Sequence, residues 1–279
     1  RDVRWITDMG ELHEWYLDEW KQEHFIKTPE DYRIMRRAWE GVKIVADETA
    51  FIASEKEVAN NGVTLGNIGG MGSGRTPLMV LQVDWVGLGQ WSLDLADELP
   101  AMMELLEFMN ELKLEEIRQA VCTPVRQIKL WENLSLQTLG PSHYRRHLVP
   151  LYSKILSIAN AAGKRVLPHY DGQLRVIADQ VAKLDFDGID SFTPPPEGDM
   201  TVAEARQQWP DKMLWCHPPL GWYRERENLG RLIKGMAQDA GPKRFCLMIS
   251  EDIPPDWERT VPQALTTLQI MPASLRVVQ

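Results

Sequence analysis

Long apolar runs are absent from this chain of 279 residues: none approaches the ~18 residues a membrane-spanning helix needs, and no secretory leader opens it. Neither a spanning nor an exported protein is therefore expected. Cysteine is scarce as well. The three present, Cys122, Cys216 and Cys246, are an odd number without metal-type spacing, as expected of a reduced cytoplasmic protein. A basic excess is also missing, since 31 lysines and arginines stand against 40 aspartates and glutamates, for a formal net charge of -9. That balance argues against a broad nucleic-acid footprint or an anionic membrane surface, while allowing a local basic pocket. The chain opens on arginine, so its natural start is expected to lie upstream.

What is present suffices for one large core. At 44% hydrophobic and 25% charged, the sequence needs no disulfide or metal to fold, and one α/β barrel of about 250 residues would use nearly all of it. Residues 1–279 are accordingly read as a single domain.

Val3 to Trp20 carries aromatic and β-branched residues around Met9-Gly10, a pattern for two short antiparallel strands and a turn, expected to cap one end of the fold. Thr28-Pro29-Glu30-Asp31 is a helix start, with Tyr32, Met35 and Trp39 on the apolar face, and a second helix is predicted over Asp47 to Ala59. Gly62 to Ile68 reads as a strand. The stretch Gly69 to Thr76 that follows, GGMGSGRT, could turn backbone N–H groups and Arg75 toward an anion, although the lysine of the phosphate-loop signature is lacking. A merely flexible glycine loop is the plainer reading. Thr76 to Gly87 is ambiguous, its Thr-Pro opening favouring helix, and Trp91 to Val121 is helical with a restart at Leu99-Pro100.

From Val125 onward short apolar strands alternate with helices. The segment Lys164 to Gly172, KRVLPHYDG, shows the pattern most clearly: a strand ends directly in a histidine, an aromatic, a carboxylate and a glycine, with helical periodicity on both sides. Successive strands end in Glu132, in His169 with Asp171, in Asp190, in His217, and in Glu251 with Asp252. In a closed parallel barrel these ionisable groups would form a ring at one edge and converge on a pocket. Taken singly, a carboxylate after a strand is more often a helix N-cap than a catalyst. Two histidines among the acids are harder to dismiss. The fold predicted is a single (β/α)8 TIM barrel with a short N-terminal β-hairpin, an open doubly wound sheet being the alternative.

From Pro150 to Pro255 the residues resemble the uroporphyrinogen decarboxylase superfamily, a set of (β/α)8 barrels that includes corrinoid-dependent methyltransferases. The resemblance is carried by PLYSKILSIANAAGKRVLPHYDG, DFDGIDSF and SEDIPPD, and more loosely by TPEDY at Thr28 and LADELPAMMELL at Leu95. The methyltransferase branch binds zinc through a histidine and two cysteines. Here His169 stands at the histidine position, while Asp171 and Glu251 replace the sulfur ligands, a harder donor set compatible with zinc, manganese or iron.

The resemblance thus implies methyl transfer from a small methylated substrate to a corrinoid on a partner protein, with a metal held by His169, Asp171 and Glu251. His217, Tyr170, Glu132 and Asp190 are the candidate catalytic groups, and Arg75, Trp131, Trp222 and Arg224 the candidate substrate contacts. A homodimer is compatible with this reading. Metal-free tetrapyrrole decarboxylation is the second possibility, weakened because the arginine-bearing opening motif of that enzyme is missing. A ligand-binding protein without chemistry is the third.

Overall fold

The computed structural model describes residues 1–60, 62–72, 74–134, 136–225, 227–249 and 256–269. At the N-terminus, β1 (Asp2–Thr7) and β2 (Gly10–Leu17) pair antiparallel, with Thr7 opposite Gly10 at the turn, and β3 (Trp20–Glu23) adds a further strand. The hairpin expected around Met9-Gly10 thus forms. This sheet rests on α1 (Pro29–Trp39) through aromatic contacts: the Trp5 ring lies 5.9 Å from Trp39 and 5.5 Å from Phe25. Thr28 caps α1 reciprocally with Asp31, so two otherwise unpaired backbone N–H groups are satisfied.

After α2 (Thr49–Val58) and the two-residue β4 (Gly66–Asn67) comes a helical stretch. It comprises α3 (Pro77–Val80), a π-helical turn over Leu81–Trp85, α4 (Leu88–Ala96) and the long α5 (Pro100–Val121). The Thr76-Pro77 opening does start a helix. Five more strands then alternate with helices: β5 (Gln127–Leu130), α6 (Leu136–His143), α7 (Val149–Ala161), β6 (Arg165–Pro168), α8 (Ala178–Lys183) and β7 (Gly188–Phe192). The series closes with α9 (Val202–Gln208), β8 (Met213–Cys216), α10 (Leu229–Ala240), β9 (Phe245–Leu247) and α11 (Trp257–Gln269).

The predicted eight-stranded (β/α)8 barrel does not form. The protein is α/β with three sheets of three strands: the antiparallel β1-β2-β3 and two parallel sheets, β4-β5-β6 and β7-β8-β9. Among the described residues the outer strands β4 and β9 do not pair with each other, so the ring stays open. The cause lies in the first half of the chain. Its residues go into the antiparallel sheet and into helices, and the expected strand over Gly62 to Ile68 shrinks to Gly66–Asn67. The two parallel sheets meet where β6 ends beside β7, at an isolated bridge between His169 and Asp190. Strands covered by helices on such sheets are largely apolar runs, and Val166, Leu167, Ile189 and Leu214 are all buried.

Candidate active site

Where β6 and β7 meet, a cavity of about 610 Å³ opens beyond the carboxyl ends of four consecutive strands. Its walls carry Asn133 and Leu134 after β5, His169 and Asp171 after β6, Ser191 and Thr193 from the end of β7, and His217 and Pro218 after β8. Gln137, Gln173, Glu197 and Leu220 complete much of the lining. Ligands of open parallel sheets collect at this edge because the loops there diverge and leave a crevice.

Behind the cavity wall runs one chain of polar contacts. Asp190 is fully buried, and its Oδ2 takes both Lys129 Nζ and His169 Nδ1 at 2.7 Å. Burial works against the Asp190 charge, but His169 and Lys129 outweigh it and hold the carboxyl below its usual range. Because an ionised Asp190 can only accept, His169 Nδ1 carries the hydrogen and Nε2 is the basic nitrogen. The Lys129 ammonium sits 3.4 Å from the Trp131 ring centroid, and the His169 ring stacks on Trp131 at 5.5 Å. Trp131 thereby fixes the plane of the imidazole. Ser191 Oγ lies 2.9 Å from His169 Nδ1 and 3.1 Å from His217 Nε2.

Two neighbouring side chains, Asp190 and Ser191, both reach His169, which a regular strand forbids because successive residues point to opposite faces. The ladder between β7 and β8 slips between Ile189 and Phe192, and Ser191 takes a left-handed backbone with φ of 64°. This bulge turns Ser191 to the same side as Asp190.

The predicted site residues divide by position. His169, Asp171 and His217 line the cavity, while Asp190 is buried behind the wall against His169 and Trp131 stacks on His169. Tyr170 is buried away from the wall, its hydroxyl 3.2 Å from that of Tyr144. Glu132 is fully buried too, and accepts from Thr76 N and Thr76 Oγ1 at 3.2 and 2.8 Å, while burial raises its carboxyl above the usual range. Trp222 is half-buried and Arg224 exposed, both just past Leu220. Glu251 and Asp252 lie outside the described residues.

Arg75 is placed against Asp84, at 3.5 Å. The glycine stretch before it receives a carboxylate of the chain itself, since Met71 N donates to Glu116 Oε1 and the buried Lys113 ties Glu116 Oε2 to the Ile68 carbonyl. Two residues of the site escaped the sequence reading. Lys129, a charge inside the run Ile128-Lys129-Leu130, could have been found as a cation needing a buried partner. Ser191 carries no such signal, because a serine at a strand end is commonplace.

Among the described residues no group of three or more histidine, cysteine, aspartate or glutamate side chains is arranged to hold a metal ion. None of their helices is long and apolar enough to cross a membrane.

No protein-family model matches the chain, and no curated protein does. Among solved structures the chain is similar to a methyltransferase from Methanosarcina mazei, with a TM-score of 0.46 and 12% identity over 69% of this chain and 57% of that one. It is also similar to a thiamine phosphate pyrophosphorylase from Pyrococcus furiosus, with a TM-score of 0.28 and 12% identity over 56% of this chain and 90% of that one. The chain thus spans a little over half the length of the methyltransferase. At these scores neither likeness decides an activity.

Proposed function

We propose that the chain is an enzyme acting on a small neutral or cationic methylated compound in the cavity at the β6–β7 junction, and that the methyl group passes to a corrinoid on a partner protein. One observation carries the choice of substrate class: among the described residues the cavity lining includes the carboxylates Asp171 and Glu197 and two imidazoles, but no lysine or arginine. Such a wall attracts cations and disfavours a polycarboxylate, so decarboxylation of a tetrapyrrole fits it less well. The named acceptor rests on the sequence resemblance.

The donor set fits a divalent cation in part. A metal-bound histidine commonly gives its other N–H to a carboxylate, and His169 is held by Asp190 in that way, with Nε2 left to bind. Asp171 stands on the same wall, and Glu251 is the third donor proposed. Bound there, a divalent ion would act as a Lewis acid on the heteroatom that loses its methyl group. The chain's own residues have other tasks: Lys129 and Asp190 fix the tautomer of His169, Trp131 fixes its plane, and His217, on the cavity wall, would exchange a proton with a bound substrate.

Elemental analysis of protein purified without added metal, followed by exposure to zinc, manganese or iron, tests the donor set. Wild type should retain about one equivalent, and Asp171→Asn and Glu251→Gln should each lose it while keeping their circular dichroism. A folded wild type that takes up none of the three metals would remove the metal from the proposal. Methylamines and methoxylated aromatics, offered with a reduced free corrinoid, test the reaction. Ligand binding without methyl transfer would leave a binding protein.

A further inference from the structure

The bulge in β7 leaves a feature that methyl transfer does not use. Ser191 adopts a left-handed backbone, which costs a non-glycine residue free energy, and its hydroxyl is held between two imidazoles at the cavity wall. We propose that Ser191 is a nucleophile for acyl transfer, with His217 as its base, and that the cavity hydrolyses small uncharged or cationic esters. This is independent of the corrinoid reading, since it requires neither metal nor carrier.

The hydrogen-bond directions favour attack. His169 Nδ1–H points at Asp190 Oδ2, 2.7 Å away, and Ser191 Oγ, at 2.9 Å, can share that donor only as an acceptor. The serine hydrogen has two acceptors in reach, Asp190 Oδ2 at 3.5 Å and His217 Nε2 at the shorter 3.1 Å, and along the shorter contact His217 can serve as a general base. Ser191 Oγ thus receives a donor that stabilises negative charge on it and has an acceptor for its proton. Asn133, Gln137 and Gln173 line the same cavity, and their side-chain amides are of the kind that can donate to a carbonyl oxygen gaining charge.

In the first step Ser191 Oγ bonds to the ester carbonyl carbon, its proton moves to His217 Nε2, the bond from that carbon to the leaving oxygen breaks, and the departing alkoxide takes the proton from His217. In the second, water gives its proton to His217 and bonds to the same carbon, the bond to Ser191 Oγ breaks, and Ser191 recovers the proton as the carboxylic acid leaves.

Diisopropyl fluorophosphate tests the nucleophile without requiring turnover, because a phosphorus–oxygen bond to Ser191 replaces the phosphorus–fluorine bond and the proton leaves through His217. Tandem mass spectrometry of the treated, folded protein should place one adduct on Ser191, and p-nitrophenyl acetate should be turned over. Ser191→Gly, which tolerates the left-handed backbone and so keeps the fold, should lose both. His217→Gln should slow labelling by ~100-fold. Absence of an adduct at Ser191 in the folded wild type, or labelling and turnover undiminished in folded Ser191→Gly, would overturn the proposal. Neither result bears on metal content or methyl transfer, which fail or stand by their own assays.

Discussion

Lys129 illustrates how a single side chain holds the candidate site. Its ammonium and the Asp190 carboxylate are both almost wholly buried, and each loses hydration that the other replaces. Substituting methionine for Lys129 preserves volume but takes away the lysine paired with Asp190, leaving the buried carboxylate to the hydrogen bond from His169. Lys129→Met should therefore destabilise the fold by about 3–5 kcal/mol in urea titrations at neutral pH, and it should loosen His169 as well. Glu132 presents the opposite case, because burial pushes its carboxyl pKa up from 4.5. A folded-state pKa above the unfolded one favours the protonated form, so its contribution is complete below the unfolded pKa and is lost as pH rises through the folded one. Glu132→Gln, which keeps an acceptor for Thr76, should match or exceed wild-type stability at pH 7.5 and lose that advantage near pH 4, as measured by urea unfolding. At this scale the histidines and acids at strand ends were legible because their residue types are conspicuous. Ser191 was not, since only the bulge gives it a role.

Capping groups were legible in the elements because the motif is local. Thr28 with Asp31 reads directly as a helix start, and Thr201 with Glu204 builds the same reciprocal cap on α9. Glu204 also pairs with Arg175, at 3.0 Å, and the arginine together with Thr201 holds its carboxyl down at about 2 from an ordinary 4.5. A depressed carboxyl pKa contributes stability that is present above the unfolded value and lost as pH falls through the folded one. The melting-temperature difference between wild type and Glu204→Gln should accordingly be constant above pH 5 and shrink between about pH 4.5 and 2. A difference that stayed level to pH 2 would show that the carboxylate charge adds nothing to the cap. Strand lengths were less legible. Gly62 to Ile68 has strand-like composition, yet pairing depends on a neighbour elsewhere in the chain, and only Gly66 and Asn67 find theirs, in β5.

At the scale of the molecule, alternating strands and helices gave the parallel order of the second half but not closure, because closure is decided by whether the two outermost strands meet. With the ring open, the junction between the two parallel sheets depends on few bonds. At one end Tyr170 N donates to the Asp190 carbonyl at 2.9 Å. At the other, Asp187 N donates to the Val166 carbonyl at 3.1 Å, and the Asp187 carboxylate accepts from Val166 N at 2.8 Å. A side chain there stands in for a ladder bond. Asp187→Ala would leave the buried Val166 N–H without its partner, at a cost of about 1–3 kcal/mol, whereas Asp187→Asn keeps an acceptor oxygen and should lose much less. Because the cavity sits at this junction, amide exchange at Val166 and Tyr170 should accelerate in Asp187→Ala relative to Asp187→Asn. The antiparallel sheet β1-β2-β3, which shares no bond with the junction, should keep its protection. Equal acceleration in that sheet would mean that the alanine variant unfolds globally, and no acceleration at Tyr170 would mean that the Asp190 end holds the two sheets without help from Asp187.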